Sequence, residues 1–339
     1  MTSTGQSKPG PDIALAGGSA IVEHLRRRGL VSHGDVVAER LSGGVSNDVT
    51  AVRGAGVNLV VKRALPRLRV AEEWLADPDR VLAEADALRV AAQRQPAHVP
   101  PVLDVDRMNR VIIIGHAEDG AHEWKADLLR GEVDQEVASR LGTVLAGWHR
   151  STAGSEAVIA RFGDLEAFEQ LRVDPFHRWI ARRHPDLAPA IDAAVERMYA
   201  SRACLVHGDF SPKNVLLGPS TTWVIDWEVA HYGDPTFDLA FLLTHLMCKA
   251  LLRPESAEQY RSAGDTFLTA YRNGISGSDL EVDQAHLTTQ TACLLLARMD
   301  GKSPAPYLDE PARERGRRIA RAVIADGAPA PDYLWRQLS

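Results

Sequence analysis

The spacing of apolar positions divides the chain into a short-period part and a long-period part. "SAIVEHLRRRGL" predicts a short helix with Ser19 as its cap and Gly29 as its stop. "DVVAERL", "DVTAVR" and "NLVVKRAL" are brief β-branched runs separated by Gly-containing turns, the pattern of an antiparallel meander. "DPDRVLAEADALRVAA" then takes a helical period, with Asp77 as cap, Pro78 at the first helical position, and Val81, Ala85, Leu88 and Ala92 in register. "RVIIIGHA" predicts one more strand. From Trp124 to Ala200 the period is helical, and between Leu205 and Ile225 two brief strands interrupt it. "TFDLAFLLTHLMCKALL" and "AHLTTQTACLLLARM" follow as strongly apolar helices suited to the centre of a helical core. The fold class is α+β, with a small antiparallel sheet and one helix preceding a large, mainly helical part.

"HGDFSPKNVLL" holds the densest chemistry, with Asp209 and Asn214 five positions apart. "VLL" and "WVI" are strand candidates around the turn cluster "GPSTT", and Asp226 follows at once. If the strands pair as a hairpin, Asn214 and Asp226 face each other at its open end, about 4.5–5.5 Å apart at Cβ. An amide oxygen and a carboxylate at that separation can share magnesium, which takes oxygen ligands completed by water and phosphate. Asp209, on the loop before the hairpin, can then accept a proton from an incoming hydroxyl. Base, ligand, strand, turn, strand, ligand is the layout of phosphoryl transfer by the kinase route. His207 reads as a buried structural histidine, and Lys213 as facing phosphate or solvent.

"HGDFSPKN" followed by "VIDWEVAHYGDPTFDLAFLL" resembles the aminoglycoside phosphotransferase and choline kinase superfamily, which includes methylthioribose kinase-like members, over about residues 36–247. The resemblance implies a two-lobed, protein-kinase-like fold. It implies ATP and Mg2+ as cofactors, Asp209 as catalytic base, Asn214 and Asp226 as metal ligands, and Asp238 as a brace for the catalytic loop. Glu228 matches the acid-x-acid pattern of the methylthioribose and choline kinase branches and is a candidate second metal contact. On this division, residues 1–18 form a flexible tail, 19–116 a nucleotide-binding N-lobe, and 117–339 a helical C-lobe with the catalytic loop and acceptor site.

In "NLVVK" the alternation puts Lys62 on the face of Val60, where a buried ammonium needs a partner. Glu84 shares a helix stripe with Val81 and Leu88 and can supply it, and the resemblance gives that pair the ATP α- and β-phosphates. Arg80, one turn away, is a rival partner for Glu84. The Gly-containing turn Ser42, Gly43, Gly44, Val45, Ser46, Asn47 offers backbone amides to phosphate. The backbone of Ile114 and His116 is expected to meet the adenine edge.

A net charge of −6 lacks the concentrated basic surface that nucleic acid requires. No run reaches the roughly 20 apolar residues of a membrane helix, and Ile13–Ala16 is too short for a signal-peptide core. A cytoplasmic location without membrane partners is the expectation. Cys204, Cys248 and Cys293 lack metal spacing and read as buried thiols. "GKS" at Gly301–Ser303 has Leu296 where a P-loop needs glycine. Only seven positions separate Asp226 from Gly233, little room for a segment that docks a peptide. The acceptor is therefore expected to be a small hydroxyl compound, lying against Leu145–Ser151, Asp174–Trp179 and Phe241–Arg298. The leading function is an ATP-dependent kinase of a polar metabolite such as a sugar derivative. The alternatives are an aminoglycoside resistance kinase and a non-catalytic nucleotide-binding pseudokinase. The oligomeric state is not encoded in any motif.

Overall fold

The computed structural model describes residues 17–32, 34–41, 46–69 and 74–338. Chain contacts divide it into two compact units, one running up to Arg89 together with Pro100–His116, the other Val90–Val99 with Ala117 onward. Residues 90–99 thus group with the second unit, whereas the sequence reading kept them in the first. Most of the tail assigned to residues 1–18 lies outside the described residues.

The first unit starts with α1 (Gly18–Arg27), which Gly17 rather than Ser19 precedes. Ser19 lies inside the first turn, so the expected cap is not formed there. The strands β1 (Val36–Arg40), β2 (Asn47–Gly54) and β3 (Val57–Ala64) form the expected meander. Then come α2 (Arg80–Arg94), β4 (Val102–Asp106) and β5 (Val111–Gly115). The five-stranded sheet has the order β1-β2-β3-β5-β4. β4 is not predicted by the sequence pattern, since "VLDVD" places acids where a half-buried strand shows apolar alternation. Leu59, Val61, Val111 and Ile113 pack with Ile21 and Leu25 in one core. Alternation then puts Val60 and Lys62 on the opposite face of β3. Before α2, the Asp77 carboxylate accepts the Asp79 amide at 2.9 Å, as a helix-start acid should.

The second unit opens with β6 (His122–Glu123), α3 (Trp124–Arg130) and α4 (Gln135–Thr152). The short α5 (Glu156–Phe162) and α6 (Glu166–Phe168) lead into a π-helical stretch, Glu169–Arg178, followed by α7 (Trp179–Arg183) and α8 (Ala188–Ala200). β7 (Cys204–Val206), β8 (Val215–Leu217), β9 (Thr222–Val224) and β10 (His231–Gly233) carry the motif region. They form a β6-β8-β9 sheet and a β10-β7 pair. The long helices α9 (Thr236–Leu252), α10 (Ala257–Ile275), α11 (Gln284–Asp300) and α12 (Glu310–Asp326) complete the body. α4 crosses α10 closely because residue 142 is glycine: a Cβ there would stand 2.3 Å from the Phe267 carbonyl. Trp124 and Trp148 are core residues, and Trp148 meets Trp227 edge-on at 4.9 Å. All three cysteines are free and buried.

Candidate active site

The catalytic loop is built around one buried carboxylate. Asp238, on the first turn of α9, accepts the His207 amide at 2.7 Å and the Gly208 amide at 2.9 Å. His149 Nε2 adds a third contact at 3.2 Å, and Tyr271 Oη lies 2.8 Å from His149 Nδ1. Burial pushes the Asp238 pKa up, but these donors outweigh it and hold the group below the usual carboxylate range. Asp238 therefore does what a loop brace must do. Gly208 takes φ 79°, and a Cβ there would meet the Val229 carbonyl at 2.7 Å, so the loop turns toward Asp209 only with glycine at this position.

His207 is structural, as expected. Its Nδ1 accepts the Asp209 amide at 3.0 Å, which assigns the proton to Nε2, and Nε2 donates to the Ile225 carbonyl at 3.0 Å. Burial lowers its pKa, so the ring stays neutral in this bridge between loop and hairpin.

Asp209 is buried and held from three sides. Arg172 Nη2 lies 2.9 Å from Oδ2, Lys213 Nζ 3.1 Å, and Asn214 Nδ2 donates to the same oxygen at 2.8 Å. Burial would raise the pKa of Asp209, yet Arg172 and Lys213 bring it below the ordinary value despite the opposing Asp226 charge. The acid is thus ionised and oriented. Lys213, half exposed, has its own pKa raised, chiefly by Asp209.

Sequence reasoning missed Arg172. It lies in the π-helical stretch, whose Pro175 has no N–H for the Leu171 carbonyl. Arg172 Nη1 donates to that carbonyl at 2.6 Å, while its Nε donates to the Gly208 carbonyl at 2.8 Å. The sequence signal was a proline inside an apolar helical pattern with an arginine three residues before it.

The β8–β9 hairpin forms, but in a register one step from the expected one. Val215 pairs with Val224 and Leu217 with Thr222 around a turn at Gly218–Thr221. Asn214 consequently faces Ile225, whose amide donates to the Asn214 carbonyl at 2.9 Å. Asp226 is the next residue and takes φ 69°. A non-glycine residue with positive φ is uncommon and often marks a functional turn. The expected direct opposition of Asn214 and Asp226 is corrected to a diagonal relation, with a left-handed turn after the strand. The Asp226 charge nevertheless acts on both Asp209 and Lys213. Glu228 is buried two residues further on. The turn itself is clamped by Glu118, whose carboxylate accepts the amides and hydroxyls of Ser220 and Thr221, each at 2.8 Å, lowering its pKa to about 2.

The donor set suits a hard divalent cation. Asn214 spends its Nδ2 hydrogens on the Asp209 carbonyl at 2.9 Å and on Oδ2, leaving the amide oxygen as its ligating atom. With Asp226 and Glu228 the candidates are all oxygen, the chemistry of magnesium rather than of zinc. Among the described residues, no three His, Cys, Asp or Glu side chains converge into a metal cluster, so a cation here needs phosphate or water to complete its shell.

In the first unit, Lys62 and Glu84 meet as expected, 2.8 Å apart with side chains 8% and 1% exposed. Arg80 donates to the carbonyls of Ser46, Leu65, Ala76 and Asp77 and ties the start of α2 to the ends of β2 and β3. Ser42, Gly43, Gly44 and Val45 lie outside the described residues. Asn47 begins β2 with Ser46 just before it, and Asn47 Nδ2 donates to Ser46 Oγ at 3.0 Å. Ile114 is the penultimate residue of β5, paired with Val60 and Val102. The His116 amide donates to the Asn58 carbonyl at 3.2 Å, extending the ladder, so it reaches an adenine edge only by giving up that bond.

Comparison with known proteins places this geometry. The APH model, the phosphotransferase enzyme family, matches residues 37–275. Methylthioribose kinase of Pectobacterium atrosepticum is 28% identical over 272 residues, covering 70% of this chain and 68% of its own. That of Yersinia pseudotuberculosis is 27% identical over 256 residues, covering 67% and 63%. The chain thus spans between 63% and 68% of the length of these relatives. Among solved structures, amicoumacin kinase hAmiN in complex with AMP-PNP, Ca2+ and Ami superposes with a TM-score of 0.58 at 16% identity, over 94% of this chain and 96% of that one. A Ralstonia eutropha JMP134 protein assigned to the aminoglycoside phosphotransferases gives 0.59 at 14% identity, over 94% and 97%. At these identities the structures speak for the fold, which is protein-kinase-like. With the family model spanning most of its length, the chain belongs to the phosphotransferase enzyme family and is a small-molecule kinase.

Proposed function

We propose that this chain moves the γ-phosphoryl group of MgATP onto a hydroxyl of a small polar metabolite, such as a sugar or sugar derivative. The observation that carries this is the three-sided hold on Asp209 by Arg172, Lys213 and Asn214, in which the Asn214 amide links the acid to a candidate metal ligand. Similarity to methylthioribose kinases favours a metabolite over an aminoglycoside, since the aminoglycoside likeness lies in fold alone.

Asp209 Oδ accepts the acceptor's hydroxyl proton as that oxygen bonds to the γ-phosphorus. The bond from phosphorus to the β–γ bridging oxygen breaks, and its electron pair leaves with ADP. Magnesium, held by Asn214 and Asp226 with Glu228 as a further contact, would supply charge neutralisation on the phosphates. Lys62, oriented by Glu84, grips the α- and β-phosphates. A low pKa suits Asp209 to orienting the hydroxyl and taking its proton late, when bond formation to phosphorus has acidified it.

Incubation with MgATP and a library of hydroxylated metabolites and aminoglycosides, followed by ADP release and product mass, tests this. Turnover of a sugar-type metabolite is expected. Tight MgATP binding without turnover across the panel would instead make the chain a non-catalytic nucleotide-binding module. Turnover of kanamycin-type compounds alone would make it a resistance kinase.

A further inference from the structure

Beyond Asp238, which braces the catalytic loop, one buried stripe of α9 has no task in the chemistry above. Asp238, Phe241, His245 and Lys249 recur at three- and four-residue spacing and so share a face that advances about 6 Å per four residues. The stripe begins at the catalytic loop, where Asp238 holds the His207 and Gly208 amides and the Arg172 guanidinium lies 5.7 Å over the Phe241 ring. His245 follows, its ring 5.2 Å from that of Phe241.

The stripe ends in positive charge. Lys249 is 0% exposed, and among the described residues no carboxylate is one of the charges that act on it most. Its Nζ lies 3.5 Å from His245 Nδ1 and 5.5 Å over the Tyr307 ring. Arg298 Nη1 donates to the Ser303 carbonyl and hydroxyl, while its buried Nε has no hydrogen-bond partner. The charges acting most strongly on His245 are all cationic: Lys249, Arg298, Lys213 and Lys125. Lys213 links this group to the base, 3.1 Å from Asp209.

Burying an ammonium group costs several kcal/mol, and like-charged neighbours add to the cost. Burial, the largest effect, brings the Lys249 pKa down to about 7; Cys248 opposes it, and Arg298 and Lys125 add to it by smaller amounts. Apolar packing alone would be served better by Met or Leu here. An anion beside the cluster would offset the cost. With Lys249 against Nδ1, His245 keeps Nε2 as its donating nitrogen; Lys249 is fully enclosed, His245 keeps 9% of its surface exposed, and Arg298 and Lys213 are more open.

We propose that His245 and Arg298, backed by Lys249, form an acceptor subsite for an anionic group, a carboxylate or phosphate, on the hydroxyl compound that Asp209 serves. This rests on the kinase reading and narrows it. Polycationic aminoglycosides are repelled by the same residues.

The test uses the full chain with acceptor-sized probes that differ in charge: D-gluconate and D-glucose 6-phosphate as anions, D-glucose as the neutral member, and D-glucosamine as the cation. Affinity is measured by calorimetry with MgADP present, and turnover by ADP release with MgATP. The anions are expected to bind at least tenfold tighter than glucose, with glucosamine weakest, and the stronger anion tells carboxylate from phosphate. Lys249→Met should erase that preference by raising the Kd for the anion at least tenfold, with MgADP affinity unchanged and a melting temperature at or above that of the parent. Lys249→Arg should keep most of the preference. Equal or tighter binding of glucose or glucosamine, or a preference that survives Lys249→Met, would overturn the subsite. Lys249-dependent anion binding without ATP turnover would keep the subsite and sink the kinase reading. Turnover of neutral acceptors independent of Lys249 would do the reverse.

Discussion

Arg172 holds the Asp209 carboxylate at 2.9 Å with one nitrogen and the Gly208 carbonyl at 2.8 Å with another, so a single guanidinium fixes both the acid and the backbone that carries it. Lysine has one ammonium and cannot reproduce a fork aimed at two acceptors. Arg172→Lys should therefore lower kcat by about 10²-fold, the scale on which an ångström of misplacement acts. KM for ATP should stay within threefold of the parent, as steady-state kinetics at saturating acceptor will report. A kcat within twofold of the parent would mean that Asp209 is positioned by Asn214 and Lys213 alone.

Asp238 accepts two loop amides and a histidine N–H in a fully buried place. Asp238→Asn replaces one accepting oxygen with a donor and leaves a buried N–H facing another, at a cost of about 1–3 kcal/mol. Thermal denaturation should show a melting temperature lower by about 2–4 °C for each kcal/mol lost. Turnover should fall further than unfolding alone explains, because the loop that carries Asp209 loses its anchor.

Acid should destabilise the fold well before carboxylates protonate. Burial holds His177 and His231 down to about 4, against 6.5 when exposed. Between those values the unfolded chain binds more protons than the native one, so stability falls as pH drops through 6.5 toward 4. Each histidine contributes a slope of about 1.4 kcal/mol per pH unit inside that window. Urea midpoints at pH 7, 6 and 5 should decline steadily, and a flat series would show that these rings become protonated within the fold.

Clamping of the hairpin turn by Glu118 is a separate local device. Its four hydrogen bonds to Ser220 and Thr221 lie well away from Asp209 in sequence, yet they hold the strand pair that carries Asn214 and Asp226. Glu118→Ala should release the Ser220 and Thr221 amides to hydrogen exchange with little change in exchange at His207 and Gly208, which Asp238 protects.

Local patterns carried most of the architecture. Alternation in "NLVVK" and the stripe through Glu84 located the Lys62–Glu84 pair because burial of an ammonium leaves few partners to choose from. The five-residue step from Asp209 to Asn214 was legible because both lie in one short loop. What escaped depends on geometry that spacing does not encode. A hairpin's register follows its turn, and the turn at Gly218–Thr221 put Ile225 rather than Asp226 opposite Asn214. Arg172 lies 37 positions before Asp209 and reaches it from the π-helical stretch that holds Pro175, a placement that residue spacing does not encode. β4 is a strand by pairing with β5, its acids included, more than by its own alternation.

Asp209→Asn tests the central claim most directly, since the amide keeps size and shape and removes only the proton acceptor. With a phosphorylatable acceptor in hand, single-turnover phosphotransfer alongside MgATP binding should show a loss of about 10²–10⁴-fold in rate, the usual contribution of a positioned base. Nucleotide affinity should change less than threefold. A variant that transfers phosphate at the parent rate would contradict the account.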